Sequence, residues 1–322
     1  MRIVMMGCGP FAVPVFRALA QSKKHDVILL VSQPPREIKG RVQPESPMVT
    51  TAKELGVPVW TPDRINNHVE ELRAYNPDIL VVCDFGQILS PDVLASAKFG
   101  GLNLHGSLLP KYRGAAPINW AILKGETKLG VTVIHLTPQL DAGPVVCQAS
   151  MDVSADQTAQ DVEPLLAQLG APLIENVLDA LENGTCCCQV QLEGEATRAP
   201  KLKKCDGKID WTKSAVEIRD LYRALEPWPQ THFFWNRKPG VEPVNPNNLL
   251  RLIPRSIPQV LDIPVAVAVV DPGTVLEASD RLVVQTSNGQ VAFTCIQPAG
   301  KKCMDIPSFC RGYGLKPLDK LE

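Results

Sequence analysis

Arg2-Ile3-Val4-Met5-Met6-Gly7-Cys8-Gly9-Pro10-Phe11-Ala12 carries an apolar run into a glycine turn and on into a helix-like pattern. A short apolar run closed by glycine reads as a strand buried on both faces. Strand, turn and helix in succession form the repeating unit of a parallel sheet covered by helices. The same alternation recurs through the first half. Apolar runs at 2–6, 26–32, 78–83, 101–105 and 130–136 predict strands, and helical spacing at 10–22, 48–55, 68–75 and 115–124 predicts the helices between them. The expected fold class is α/β, a mostly parallel sheet with flanking helices.

After Ser154, the residues Val162, Leu165, Leu166, Leu169, Leu173, Val177 and Leu181 recur at helical spacing, predicting a long helix kinked or divided at Pro172. That periodicity is lost over 189–204, where charges mix with Gly194 and Pro200. A helix at 214–225 follows, then short strands near 231–235, 249–253, 265–270, 274–277, 281–286 and 291–297. Turn signals at Pro239-Gly240, Asp271-Pro272-Gly273 and Asn288-Gly289 separate them. Short strands in that number predict a small barrel or sandwich. A chain of 322 residues exceeds one ordinary hydrophobic core, and the expected domains are 1–188, a linker at 189–205, and 206–322.

With 45% hydrophobic and 21% charged residues the composition is that of a globular chain, not a disordered one. A net charge of -1 argues against a protein that coats nucleic acid over its whole surface and leaves room for a local basic patch. Ten cysteines lack any Cys-x-x-Cys spacing, so they read as thiols in a reducing compartment rather than zinc ligands or disulfides. The N-terminus passes directly into a strand pattern, with no charged segment and long apolar stretch of a secretory signal, and the expected location is cytoplasmic.

The Gly7-Cys8-Gly9-Pro10-Phe11-Ala12 turn matches a dinucleotide-binding fingerprint on paper, but its second half is missing. No acid ends the next strand to bind a ribose hydroxyl, and Pro10 removes a backbone donor from the turn. Stronger chemistry lies in Asn103-Leu-His105-Gly-Ser107-Leu108-Leu109-Pro110-Lys-Tyr-Arg113-Gly114-Ala-Ala-Pro117. Asn103 and His105 alternate at a strand end, so both side chains share one face, at the carboxyl end of strands where open parallel sheets bind ligands. Asp141, followed by Ala142-Gly143, sits in a tight turn able to bring a carboxylate to them. No serine or cysteine nucleophile joins the trio, which favours electrostatic and proton-transfer catalysis and suits acyl transfer to an amine. His25, His68, His135 and His232 are scattered singly, so no metal is expected.

The pattern Asn103-x-His105-x-Ser107-Leu-Leu-Pro-x-x-Arg113-Gly-x-x-Pro117, followed by Leu140-Asp141-x-Gly143, resembles the signature of the folate-dependent formyltransferases. Further likeness runs nearly end to end, through Phe85-Gly86-Gln87-Ile88-Leu89, Ala199-Pro200-Lys201, Ile209-Asp210-Trp211, Pro227-Trp228-Pro229 and Gln297-Pro298-Ala299-Gly300-Lys301-Lys302. The resemblance implies a Rossmann-like catalytic domain and a C-terminal OB-like domain that binds tRNA. It implies 10-formyltetrahydrofolate as formyl donor and the α-amine of methionine on initiator methionyl-tRNA as acceptor. Asn103 and His105 would stabilise the oxyanion, His105 would move a proton, and Asp141 would hold His105 in its useful orientation and charge state. Folate would lie against Phe85, Gly86, Gln87, Ile88, Leu89, Ser107, Leu108, Leu109, Pro110 and Gly143.

Related enzymes formylate a glycinamide nucleotide or an amino sugar nucleotide, or hydrolyse the folate, but they do not account for the Pro-Ala-Gly-Lys-Lys segment of the second domain. The resemblance also implies tRNA contacts by Arg36, Lys39 and Arg41 of the loop Arg36-Glu37-Ile38-Lys39-Gly40-Arg41-Val42, and by Lys301, Lys302 and Arg311. That loop keeps three cations of a usually more basic segment and adds Glu37, and Phe85 stands where the family carries tyrosine. One site assembled within one chain makes a monomer the simplest expectation.

Overall fold

The opening run forms the strand it predicts: Arg2–Met6 is β1, and Ile3, Val4, Met5 and Met6 are wholly buried. The computed structural model describes residues 1–35, 37–38, 40–237, 249–261 and 270–322. They divide into two compact units, one comprising 1–118, 128–153 and 161–201, the other 119–127, 154–160 and 202–322.

From β1 the first half continues through α1 (Val13–Ala20), β2 (Asp26–Val31), the short hairpin β3 (Glu37–Ile38) and β4 (Arg41–Val42), α2 (Pro47–Leu55), β5 (Val59–Trp60), α3 (Val69–Ala74), β6 (Ile79–Val82) and α4 (Pro91–Leu94). Then come β7 (Gly101–His105), β8 (Arg113–Gly114), α5 (Pro117–Leu123), β9 (Lys128–His135), β10 (Val145–Asp152), α6 (Ala159–Glu182) and β11 (Arg198–Ala199). The main sheet has the order β10-β9-β7-β6-β1-β2-β5. Its strands run parallel from β5 to β7, whereas β9 and β10 are antiparallel to their neighbours. One face packs Val4, Met6, Leu29, Val31, Leu80 and Val82 against Phe85, Leu89 and Val93. Local signals set the helix ends. Ser46 accepts a hydrogen bond from the Val49 amide, Pro47 takes the first helical turn, and Gly56 closes α2 at φ 69°.

Two of the differences from the sequence reading fall in long elements. Pro172 does not divide the helix into separate elements, because α6 runs unbroken through Pro164 and Pro172. Both prolines lie on its exposed side, where water can satisfy the carbonyls they leave unpaired, while Val162, Leu166, Ala167, Ile174 and Leu178 are buried. Gly170 passes so close to Leu104 of β7 that a Cβ would fall 2.4 Å from it. The second difference is β10, which had no sequence signal: it is an edge strand whose residues are half-buried or exposed.

In the second unit α7 (Ala215–Leu225) begins with a reciprocal cap, Ser214 and Glu217 each bonding the other's backbone amide. The strands are β12 (Phe233–Asn236), β13 (Leu249–Pro254), β14 (Gln259–Leu261), β15 (Val275–Ala278), β16 (Leu282–Gln285), β17 (Gln290–Phe293), β18 (Cys295–Pro298) and β19 (Met304–Asp305), followed by α8 (Ile306–Tyr313). They form antiparallel sheets of order β12-β13-β18-β19 and β14-β17-β16-β15. The apolar run at 291–297 is therefore two strands in different sheets, separated by a bend at the exposed Thr294. Trp211, Phe233 and Phe293 meet in the core beside Ile218, Leu252, Ile306 and Phe309. The turn signal at Pro239-Gly240 and most of the strand expected at 265–270 lie outside the described residues. Among the described residues, no helix is long and apolar enough to cross a membrane.

A buried ion pair ties this unit's separate segments together. Arg223 donates to Asp220 at 2.8 Å and to the backbone carbonyls of Ser154 and Gln157 at 2.8 and 2.7 Å. Asp220 also accepts from Arg219 at 3.0 Å. Asp220→Ala should cost about 3–5 kcal/mol in urea unfolding, because it strands the Arg223 charge away from water.

Candidate active site

Strand β7 presents the first part of the site. Asn103 sits opposite Val82 of parallel β6 and Ile134 of antiparallel β9, and His105 sits opposite Thr132. Strand periodicity places both side chains on one face. Asn103 is half-buried and, among the described residues, its side chain makes no hydrogen bond, so its amide N–H is open to a ligand. His105 is buried, with Nε2 2.9 Å from the carbonyl oxygen of Tyr112. A carbonyl can only accept, so Nε2 carries the hydrogen and Nδ1 holds the lone pair.

Nδ1 of His105 lies 3.7 Å from Oδ2 of Asp141. That is too long for a hydrogen bond, yet close enough for the carboxylate to stabilise a proton that arrives on Nδ1. The same Oδ2 accepts the Gly114 amide at 2.8 Å, which fixes the carboxylate. Asp141 adopts a left-handed backbone with φ 51°. At Gly143 a Cβ would fall 1.7 Å from the His135 carbonyl oxygen, so only glycine fits against the end of β9.

Hydrogen bonds tie down the loop after His105. Ser107 Oγ donates to the Lys111 carbonyl at 2.7 Å. Thr132 Oγ1 donates to the Ser107 carbonyl at 2.6 Å and accepts the Leu109 amide at 3.0 Å. Gln148 adds bonds of 2.8 Å to both Leu109 O and Thr132 Oγ1. Leu108 packs over Gly130, Leu109 is buried and Pro110 half-buried. In the 85–89 segment, Phe85 and Leu89 are core residues, and Gln87 spends its side chain on the Ile65 amide and Asp63 carbonyl at 3.1 and 3.3 Å. Gly86, at φ 76°, and Ile88 are exposed.

The Gly7-Cys8-Gly9 turn is already occupied. The Gly7 amide donates to Val31 O at 3.1 Å and the Cys8 amide to Asp84 O at 2.9 Å. The Asp84 carboxylate fills the space beside Gly9, where a Cβ would fall 1.6 Å from Oδ2. A carboxylate in that position repels a pyrophosphate, so the turn serves packing rather than dinucleotide binding.

Comparison with known proteins assigns this architecture. A model described as formyl transferase matches residues 1–178, and one for the formyl transferase C-terminal domain matches residues 201–314. The chain belongs to the formyl transferase family. A methionyl-tRNA formyltransferase of Acidobacterium capsulatum is 38% identical, covering 100% of this chain and 99% of that protein. One of Rhodopirellula baltica is 37% identical over 98% of this chain and 95% of that protein. Among solved structures, an N-formyltransferase from Helicobacter canadensis in complex with folinic acid and dTDP-3-aminofucose has a TM-score of 0.65 at 17% identity, covering 90% of this chain and 98% of that one. A sugar 3N-formyl transferase, WlaRD, in the presence of dTDP and 5-N-formyl-THF, has a TM-score of 0.63 at 18% identity, covering 94% and 99%. These two likenesses show a shared fold.

Arg36 and Lys39 lie outside the described residues, and Arg41 is exposed on β4. Lys301 and Lys302 are exposed in the turn after β18, and Arg311, exposed on α8, donates to Ser308 Oγ at 3.2 Å. Among the described residues, no cluster of three His, Cys, Asp or Glu side chains is arranged to hold a metal ion. The sequence reading missed the Tyr112 carbonyl and the Gly114 amide, which are backbone groups, and Arg113 and Gln191, whose partners are distant in sequence. It also missed Asp84, hidden in an apolar run.

Crowding by neighbouring atoms holds the Asp84 carboxyl above the usual carboxylate range, although its outer side stays open to solvent. Burial, and secondarily the nearby Asp84, likewise raise Glu163. A carboxyl raised in the folded state favours folding while protonated and loses that contribution as pH rises through its folded pKa. Asp84→Asn should therefore raise the melting temperature at pH 7, with the gain vanishing below about pH 4, where both states of the acid are protonated. Thermal melts across this pH range provide the check.

Proposed function

We propose that this chain transfers the formyl group of 10-formyltetrahydrofolate to the α-amine of methionine on initiator methionyl-tRNA, supporting translation initiation in the cytoplasm. The observation that carries this reading is similarity across both domains to methionyl-tRNA formyltransferases, at 38% identity over 100% of the chain for one relative. The geometry around His105 supports the chemistry.

The acceptor ammonium must lose a proton before its nitrogen can attack. His105 Nδ1 takes that proton, and Asp141 stabilises the resulting imidazolium across 3.7 Å. As the new C–N bond forms, the open amide of Asn103 donates to the formyl oxygen, on which negative charge develops. The bond from that carbon to the donor nitrogen then breaks as His105 returns its proton to the departing nitrogen, and the new amide nitrogen releases its remaining extra proton to water. The backbone of 85–88, the 107–110 loop and the Asp141–Gly143 turn would border the folate, and Lys301, Lys302 and Arg311 would meet tRNA phosphates.

The deciding experiment supplies the donor with charged initiator tRNA, beside an amino sugar nucleotide and a glycinamide nucleotide. Formylation of methionyl-tRNA alone is expected, whereas formylation of a sugar amine alone would replace the acceptor and retain the chemistry. Asn103→Ala should lower kcat by ~10²–10³-fold in this assay. Lys301→Ala with Lys302→Ala should weaken tRNA binding and reduce its logarithmic salt slope by about 1 to 2. Filter binding from low to high salt measures both changes.

A further inference from the structure

A buried side chain holds the Asp141–Gly143 turn from inside the fold. Gln191 is buried, and its Nε2 donates to the carbonyl oxygens of Asp141 at 2.8 Å and Gly143 at 2.7 Å. Its Oε1 accepts from Arg113 Nε at 3.0 Å and Nη2 at 2.9 Å. The amide orientation is dictated by its surroundings, since two carbonyls demand a donor and a guanidinium demands an acceptor. All hydrogen-bonding capacity of this buried amide is thereby used.

Arg113 is itself buried and anchored to Glu193 by bonds of 3.0 and 2.9 Å, and the guanidinium holds the Glu193 carboxyl below its usual range. On either side of Arg113 stand the Tyr112 carbonyl that meets His105 and the Gly114 amide that meets Asp141. The 197–199 stretch pins this segment, with Thr197 accepting the Tyr112 and Arg113 amides at 2.8 Å each and β11 pairing alongside β8. Gln191 thus joins the segment that orients His105 to the turn that carries Asp141.

We infer that Gln191 is a positioning residue for formyl transfer: its amide locks the left-handed turn that aims the Asp141 carboxylate at His105. The inference rests on the formyl-transfer reading, and it explains how a residue at φ 51° keeps one orientation. Gln191 does not touch the reacting atoms. It acts through Asp141.

Gln191→Glu separates the two halves of the clamp, since a carboxylate still accepts from Arg113 but has no N–H for the Asp141 and Gly143 carbonyls. Expected is a kcat lower by ~10²-fold, the scale of a misplaced catalytic group, with both KM values unchanged and a melting temperature lowered by the loss of two buried hydrogen bonds. In an Asp141→Asn background the same change should cost nothing further, because the residue to be positioned has already lost its charge. Hydrogen exchange of the peptide spanning 137–145 should quicken in Gln191→Glu and in the apolar Gln191→Met, whether or not activity is measured. Wild-type turnover in Gln191→Glu, an equal loss in the Asp141→Asn background, or unchanged exchange over 137–145 would each overturn the inference. A wild-type enzyme that formylates none of the acceptors would instead remove the functional reading, leaving the exchange experiment to judge the clamp.

Discussion

Asp141 belongs to a loop that leaves β9 beside the start of β7, yet its carboxylate has to reach an imidazole at the far end of that strand. The register makes the problem explicit: His135 lies opposite Leu102, while His105 lies opposite Thr132. The chain between His135 and Val145 must therefore fold back over the sheet before β10 can begin. Much of the first unit answers to that constraint. Gly143 permits contact with the His135 carbonyl, the Gly114 amide receives the carboxylate, and Gln191 holds the two turn carbonyls.

The surrounding sheet supplies the stiffness this arrangement needs. Asn103 and His105 are flanked by parallel β6 and antiparallel β9, with Gly170 of α6 pressed on Leu104 at the opposite face. Side chains in such a setting have little freedom to drift, because a close-packed interior resists displacement. The polar links from Thr132, Ser107 and Gln148 extend the same rigidity into the loop beyond the strand. The second unit obtains its order by different means, from an aromatic core around Phe233 and Phe293 and from the buried Arg223–Asp220 pair.

Most of the architecture was legible because its elements carry strong, local signals. The strand β1 is apolar on both faces, and Asn103 with His105 shows strand alternation at the end of an apolar run. Asp141 was visible through the Ala142-Gly143 that follows it. Hidden elements had weak signals for physical reasons: β10 is an edge strand and lacks a continuous apolar face, and α8 carries Pro307 and Gly312 within its length. The support of the site was least legible of all. Tyr112 and Gly114 act through backbone atoms common to every residue, and Gln191 lies in a stretch whose lost periodicity suggested a mere linker, though its side chain is bonded fifty residues back.

Asp84 beside Gly9 has a meaning beyond its own titration. The two positions share one volume, since a side chain at Gly9 would need the space that the Asp84 carboxylate occupies. Their substitutions are consequently interdependent: enlarging Gly9 alone would expel the acid, whereas shortening Asp84 first would open a pocket lined by the turn. The strand-turn-helix entrance of this domain thus works as a lock whose key is already inside, and any attempt to re-engineer the turn for a phosphate ligand has to begin with position 84.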